Sequence, residues 1–103
     1  MSRGPDAGTL LVRAVEADAF GMGCIVRISG SDWTRWASAT FNGARHELTL
    51  DAAESPALER WLGGLPDANL PIRGHLLADM VIKGIRRADG VATIALEALT
   101  VEA

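Results

Sequence analysis

The long extended run near the C-terminus carries apolar residues on both sides of its alternation. In the segment ADMVIKGI, Met80 and Ile82 point to one side of the predicted strand, whereas Val81 and Ile85 point to the other. A strand at a protein surface usually keeps one side polar. The pattern therefore predicts a strand that is covered on both sides.

This strand is predicted to pair with the last segment of the chain. We expect strands at 73–87 and 91–102, joined by a three-residue Ala-Asp-Gly loop whose glycine is left-handed. That loop pairs Ile82 with Leu96. A two-residue Asp-Gly turn would instead pair Ile82 with Glu97 and mix the two faces, so we reject it.

Shorter runs predict the elements that come earlier in the chain. TLLVRAVEA at 9–17 and CIVRIS at 24–29 are the first two strand candidates. Asn42-Gly43, between alternating residues, predicts a tight hairpin turn because type I′ turns need positive φ at both positions. The inner face of that hairpin is predicted to consist of Ala37, Ala39, Phe41, Ala44, His46, Leu48 and Leu50.

One short helix is predicted at 56–63. A serine-proline pair at 55–56 supplies an N-cap and a first helical residue, and a glycine pair at 63–64 ends the helix. Its apolar stripe consists of Leu58, Trp61 and Leu62.

The predicted fold class is α+β. We expect an antiparallel sheet of about six strands, in the order β-β-β-β-α-β-β, with the short helix packed on one face. Residues 1–8 are predicted to be a flexible N-terminal tail, and residues 9–103 a single domain.

One short helix cannot cover both apolar faces of this sheet. The second face is predicted to consist of Leu77, Val81, Ile85, Leu99 and Val101. Burying five such side chains is worth about 8–15 kcal/mol before any opposing cost. Either the sheet curls into a partial barrel, or another chain covers this face. We favour the second, with an identical copy in a two-fold dimer before a different protein.

Trp36 is added to this predicted interface. It falls on the polar face of the hairpin, and Trp is enriched among the residues that dominate binding energy at interfaces.

Composition narrows the choice of function. The chain has 103 residues, of which 49% are hydrophobic and 22% charged, as in an ordinary globular domain. A net charge of −3 argues against nucleic-acid binding. No segment approaches the ~18 apolar residues of a membrane span. With Cys24 as the only cysteine and no apparent secretion signal, a cytoplasmic location is expected.

Motifs that would indicate catalysis, metal binding or a cofactor are not apparent. The two histidines and the cysteine match no metal-ligand spacing. His75 and Asp79 would lie ~13 Å apart on a strand, too far for an acid–base pair. The sequence therefore favours a small, non-enzymatic, bacterial-type association module. The alternative is a ligand-binding domain or minor enzyme, with a pocket between helix and sheet lined by His46, Trp61 and Met80.

Overall fold

A four-stranded antiparallel sheet with two helices packed on one face makes up the fold. The computed structural model describes residues 6–103. In chain order the elements are α1 (Ala7–Gly21), β1 (Arg27–Ala37), β2 (Asn42–Ala53), α2 (Pro56–Gly64), β3 (His75–Ala88) and β4 (Val91–Glu102). The strand order is β1-β2-β4-β3, so a helix-strand-strand unit occurs twice and the second strands of the two units meet in the middle.

The α+β class and the antiparallel sheet are confirmed, but the prediction of six strands and one helix is wrong. Residues 9–17, predicted as a strand, lie in α1. Leu11, Val15 and Ala19 are fully buried, and their spacing of four residues places them on one face of a helix. Asp6 caps this helix by accepting a hydrogen bond from the Thr9 amide at 2.8 Å.

The beginning of the chain also differs from the prediction. Residues 1–5 of the predicted tail lie outside the described part of the chain, and α1 begins at Ala7. The strand predicted at 24–29 begins at Arg27. Cys24 and Val26 lie in the connection and are buried in the core.

The first hairpin forms, but its turn lies earlier in the chain than predicted. Ala37 pairs with Asn42, so residues 38–41 make the turn and Asn42-Gly43 already belongs to β2. The Ser38 side chain accepts a hydrogen bond from the Phe41 amide at 3.0 Å and stabilises this turn. Of the predicted inner face, Ala44, His46, Leu48 and Leu50 of β2 are buried, whereas Ala37, Ala39 and Phe41 are exposed.

The second hairpin combines the turn that we rejected with the pairing that we predicted. Asp89 and Gly90 have φ values of 53° and 77° and form a two-residue turn. Ile82 nevertheless pairs with Leu96, because the register shifts between Ile82 and Gly84. This β-bulge adds one residue to β3 and restores the faces that a two-residue turn alone would mix.

The two irregularities of β3 also change the predicted second face. Besides the bulge near Gly84, the register shifts between Leu77 and Asp79. As a result, Leu77 pairs with Thr100 and Ile85 with Ile94, whose side chains are buried on the helix side. Residues directly opposite each other share a face, so Leu77 and Ile85 do not belong to the second face.

The predicted helix at 56–63 is confirmed as α2, capped by Ser55 through a 3.0 Å bond from the Leu58 amide. Trp61 is buried, and its Nε1 donates to Asp18 of α1 at 2.9 Å, which ties the two helices together. Both helices cover the same face. The sheet does not close into a partial barrel, since β1 and β3 remain its two edges.

Candidate interaction surface

The side of the sheet that faces away from α1 and α2, here called the open face, is organised in rows. Residues directly opposite each other on neighbouring strands point to the same face, so the strand register gives each row from β1 through β2 and β4 to β3. Four rows follow one another away from the β1–β2 turn. The first, the bulky row, consists of Trp36, Gly43, Val101 and Leu76, and the second, the arginine row, consists of Thr34, Arg45, Leu99 and Asp79. The third, the acidic row, consists of Asp32, Glu47, Glu97 and Val81, and the fourth, the small row, consists of Gly30, Thr49, Ala95 and Gly84.

The acidic row places three carboxylates side by side. Asp32, Glu47 and Glu97 occupy adjacent strands, which lie about 4.8 Å apart. In the described part of the chain, ion pairs join Arg27 to Asp51 and Arg87 to two glutamates of the α2 region, and none reaches this row. Like charges directly opposite each other destabilise a sheet. The acidic row therefore carries negative charge without a close partner within residues 6–103.

The bulky row forms a ridge around Trp36. Its indole lies against Gly43, where an added Cβ would come within 2.7 Å of the indole and closer still to the Thr100 carbonyl oxygen. Trp36 Nε1 is buried, yet it has no hydrogen-bond acceptor among residues 6–103. A buried donor without an acceptor costs about 1–3 kcal/mol. Leu76, at the other end of the row, is 63% exposed.

A groove of about 610 Å³ runs beside this ridge, lined by Thr34, Arg35, Trp36, Arg45 and Leu99. The lining contains the Arg45 guanidinium and no carboxylate; Arg35 pairs with the buried Ala44, so its side chain points to the helix side. Arg45 forms no ion pair within 4.0 Å in the described chain. The groove therefore offers hydrogen-bond donors and positive charge immediately next to the acidic row.

A hollow of about 320 Å³ lies at the small row. Gly84, Thr49 and Ala95 line it together with neighbouring residues of β3 and β4. A Cβ added at Gly84 would meet no atom within 4 Å. The open face thus has a ridge at one end and a hollow at the other, with opposite charges between them.

The residues predicted as an interface are divided by the structure. Trp36, Val81, Leu99 and Val101 lie on the open face, and Val81 is 39% exposed. Leu77 and Ile85 lie on the helix side, as described above. The sequence reasoning did not select Arg45, Glu47 and Glu97 as site residues. Their alternation placed Arg45 and Glu47 on the polar side of the first hairpin and Glu97 on the second apolar face, but nothing in the sequence indicated that β2 and β4 are neighbours.

His46, a candidate pocket residue, is fully buried on the helix side of β2. Its Nε2 lies 2.8 Å from the Thr100 hydroxyl, which in turn donates to the Ala44 carbonyl at 3.5 Å. His46 Nδ1 is buried and has no hydrogen-bond partner among residues 6–103. Burial lowers the pKa of His46, and the nearby charge of His75 lowers it further, while Asp6 opposes them. His46 is therefore a neutral residue of the interior.

Trp61 and Met80, the other candidate pocket residues, belong to the hydrophobic core. They are 1% and 3% exposed, and both pack in the cluster that joins the helices to the sheet. His46 instead contacts Trp33, with ring centroids 6.4 Å apart. The groove and the hollow of the open face are lined by other residues. We therefore place no site at these three residues.

No group of three or more His, Cys, Asp or Glu side chains within residues 6–103 is arranged to hold a metal ion. Neither α1 nor α2 has the length and apolar character that crossing a bilayer requires. No family model, curated protein or solved structure matches this chain, so its function has to be inferred from the open face itself.

Proposed function

We propose that this chain is an association module that binds a second copy of itself through the open face. The observation that carries this proposal is the content of that face: an apolar ridge, a hollow, and opposite charges in adjacent rows. A ligand-binding cleft needs only a few of these features. A protein partner makes use of all of them, because interfaces combine an apolar anchor with polar and charged surroundings.

The size of the open face suits a small interface. Four strands about 4.8 Å apart and four rows about 6.8 Å apart cover roughly 500 Å² of sheet on each copy. Two copies together would bury roughly 1,000 Å², which is where specific interfaces begin. An identical partner is favoured over a different protein because the face contains both members of each complementary set, arginine with carboxylate and ridge with hollow.

The experiment is a measurement of molar mass by light scattering over a wide range of concentration. We expect the wild-type mass to rise from monomer to dimer. The double variant Val81→Asp with Leu99→Asp should remain monomeric, since it places two further carboxylates in the contact. Both side chains are partly exposed in the single chain, so the helix signal in circular dichroism should be retained.

A matched control adds the same charge elsewhere. Thr9→Asp with Ala17→Asp changes two exposed positions of α1, on the other side of the molecule, and should dimerise like the wild type. A wild type that stays monomeric at every concentration would overturn the proposal. So would a control that loses the dimer as completely as the open-face variant.

A further inference from the structure

The order of the rows determines how two open faces can fit together. We infer that the two-fold axis of the dimer runs along the rows, perpendicular to the strands, and passes between the arginine row and the acidic row. This inference rests on the proposed self-association, and it adds the pairing of residues across the contact. It follows from the charges and the sizes of the side chains in the four rows.

Rotation about this axis keeps each strand over its own equivalent and reverses the order of the rows. The arginine row of one copy then faces the acidic row of the other, and the bulky row faces the small row. Two sheets that pack face to face keep their strands within about 30° of each other. The correspondence is therefore closest at the central strands, β2 and β4.

One ion pair forms reciprocally in this arrangement. Arg45 of one copy faces the partner's Glu47, and the same contact recurs on the other side of the axis. Neither residue has an ion-pair partner within 4.0 Å inside the described chain. The dimer thus supplies positive charge to Glu47, which stands directly opposite Glu97, while Glu97 itself faces the partner's Leu99.

The sizes match along the same rows. Trp36 faces the partner's Gly30, Val101 faces the partner's Ala95, and Leu76 faces the partner's Gly84. Val101 and Leu76 therefore meet residues that line the hollow, whereas Trp36 meets a glycine of β1 outside it.

The other in-plane axis is disfavoured by the same rows. A two-fold axis parallel to the strands would keep the rows in order and lay one acidic row on the other. The carboxylates of Glu47 and Glu97 would then face the partner's Glu97 and Glu47. Like charges placed against each other in an interface are strongly unfavourable.

A charge exchange tests this pairing. Arg45→Glu alone leaves carboxylates at both positions 45 and 47 of each copy, and Glu47→Arg alone leaves two guanidinium groups there, so each variant by itself repels its own copy. We expect the dimer dissociation constant of each to rise by about 100-fold or more, since like charges in a contact are costly. When the two variants are mixed, every contact joins opposite charges, and a heterodimer should form at near wild-type affinity. The chain with both changes should dimerise with itself.

The control is Arg27→Glu, which makes the same change in charge on the open face beyond the small row, where Arg27 pairs with Asp51. It should leave the dissociation constant within about threefold of wild type, as charges at the edge of a contact contribute little. Circular dichroism on each variant verifies folding, and recovery in the mixture verifies it independently.

The outcomes separate the two proposals. If the wild type and the mixture dimerise while each single variant does not, the axis is supported. If the wild type dimerises and Val81→Asp with Leu99→Asp abolishes the dimer, but the mixture gains nothing over the single variants, this axis is wrong and self-association through the open face stands. A monomeric wild type overturns both.

Discussion

Glu47 and Glu97 lie directly opposite each other on the two central strands, on the face of the sheet that points away from both helices. Asp32 extends this arrangement to β1. A fold that needed only internal stability would gain nothing from three adjacent carboxylates, because directly opposed like charges weaken strand pairing. Their position beside Arg45 is instead understandable if a second molecule completes the surface.

Removing one charge from this row should stabilise the single chain. We expect Glu97→Gln to raise the free energy of unfolding by about 0.2–1 kcal/mol, the range of cross-strand pair energies. The gain should shrink at high salt, because salt screens exposed charges. Urea unfolding at low protein concentration measures it. Glu16→Gln, on the exposed side of α1, is the control and should change little. An equal gain in the control would show that net charge, and not the opposed pair, is responsible.

The contact between the two helices should be energetically important. Trp61→Ala is expected to cost about 3–5 kcal/mol, as for other buried aromatic side chains. Asp18→Ala should cost about 1–3 kcal/mol, because it leaves the Trp61 Nε1 donor buried without its 2.9 Å partner. Chemical denaturation provides both values. Arg13→Ala, an exposed position of the same helix, should stay within about 0.5 kcal/mol of wild type. A cost below about 1 kcal/mol for Trp61→Ala would contradict its place in the core.

Gly43 should resist substitution for a steric reason. It lies within β2, and positive φ among the described glycines occurs elsewhere, at Gly23, Gly74 and Gly90. An added Cβ would instead collide with the Thr100 carbonyl oxygen. We expect Gly43→Ala to cost about 1–3 kcal/mol, the usual penalty of overpacking. Thermal and urea unfolding would measure it.

Gly63 is the matched control for this substitution. It lies in α2, where an added Cβ meets no atom within 4 Å. Gly63→Ala should be neutral or stabilising by up to about 1 kcal/mol, since alanine favours a helix. Equal effects at both glycines would show that the contact with Thr100 and Trp36 is unimportant.

His46 should make the fold sensitive to mild acid. Its pKa is lowered in the folded chain by burial, from a usual value of 6.5. The unfolded chain therefore binds a proton at His46 more readily than the folded chain does. The stability that neutral His46 contributes to the fold is fully present above pH 6.5 and is lost as the pH falls towards the folded pKa. We expect the free energy of unfolding to fall as the pH drops below about 6.5.

The variant His46→Gln tests the origin of this dependence. Its amide keeps a neutral donor near Thr100 but does not titrate, so the loss of stability over that pH range should largely disappear. Urea unfolding at several pH values, at a protein concentration that keeps the chain monomeric, gives the comparison. A variant with an unchanged pH dependence would assign the effect to other groups.

Part of this fold was predictable because its signals are local. The start and the stripe of α2 follow from Ser55, Pro56 and Trp61, which lie within two helical turns of each other. The alternation along β2 and β4 identified which side would be buried, including His46 and Leu96. Local signals failed at residues 9–17, where a dense run of apolar residues is compatible with both periods. Only the packing of that face against the sheet distinguishes them.

The sequence by itself determined the helix α2 and the buried side of β2 and β4, whereas Ile82 pairs with Leu96 only because a β-bulge compensates for the shorter turn. These depend on residues close along the chain or on the pattern of a single hairpin. The tertiary structure alone decided that α1 is a helix, that bulges move Leu77 and Ile85 to the helix side, and that β2 lies beside β4. The last of these brings Glu47 and Glu97 together from positions far apart in sequence. Contacts of that kind depend on how whole elements pack, and residue alternation within one strand carries no information about its neighbour.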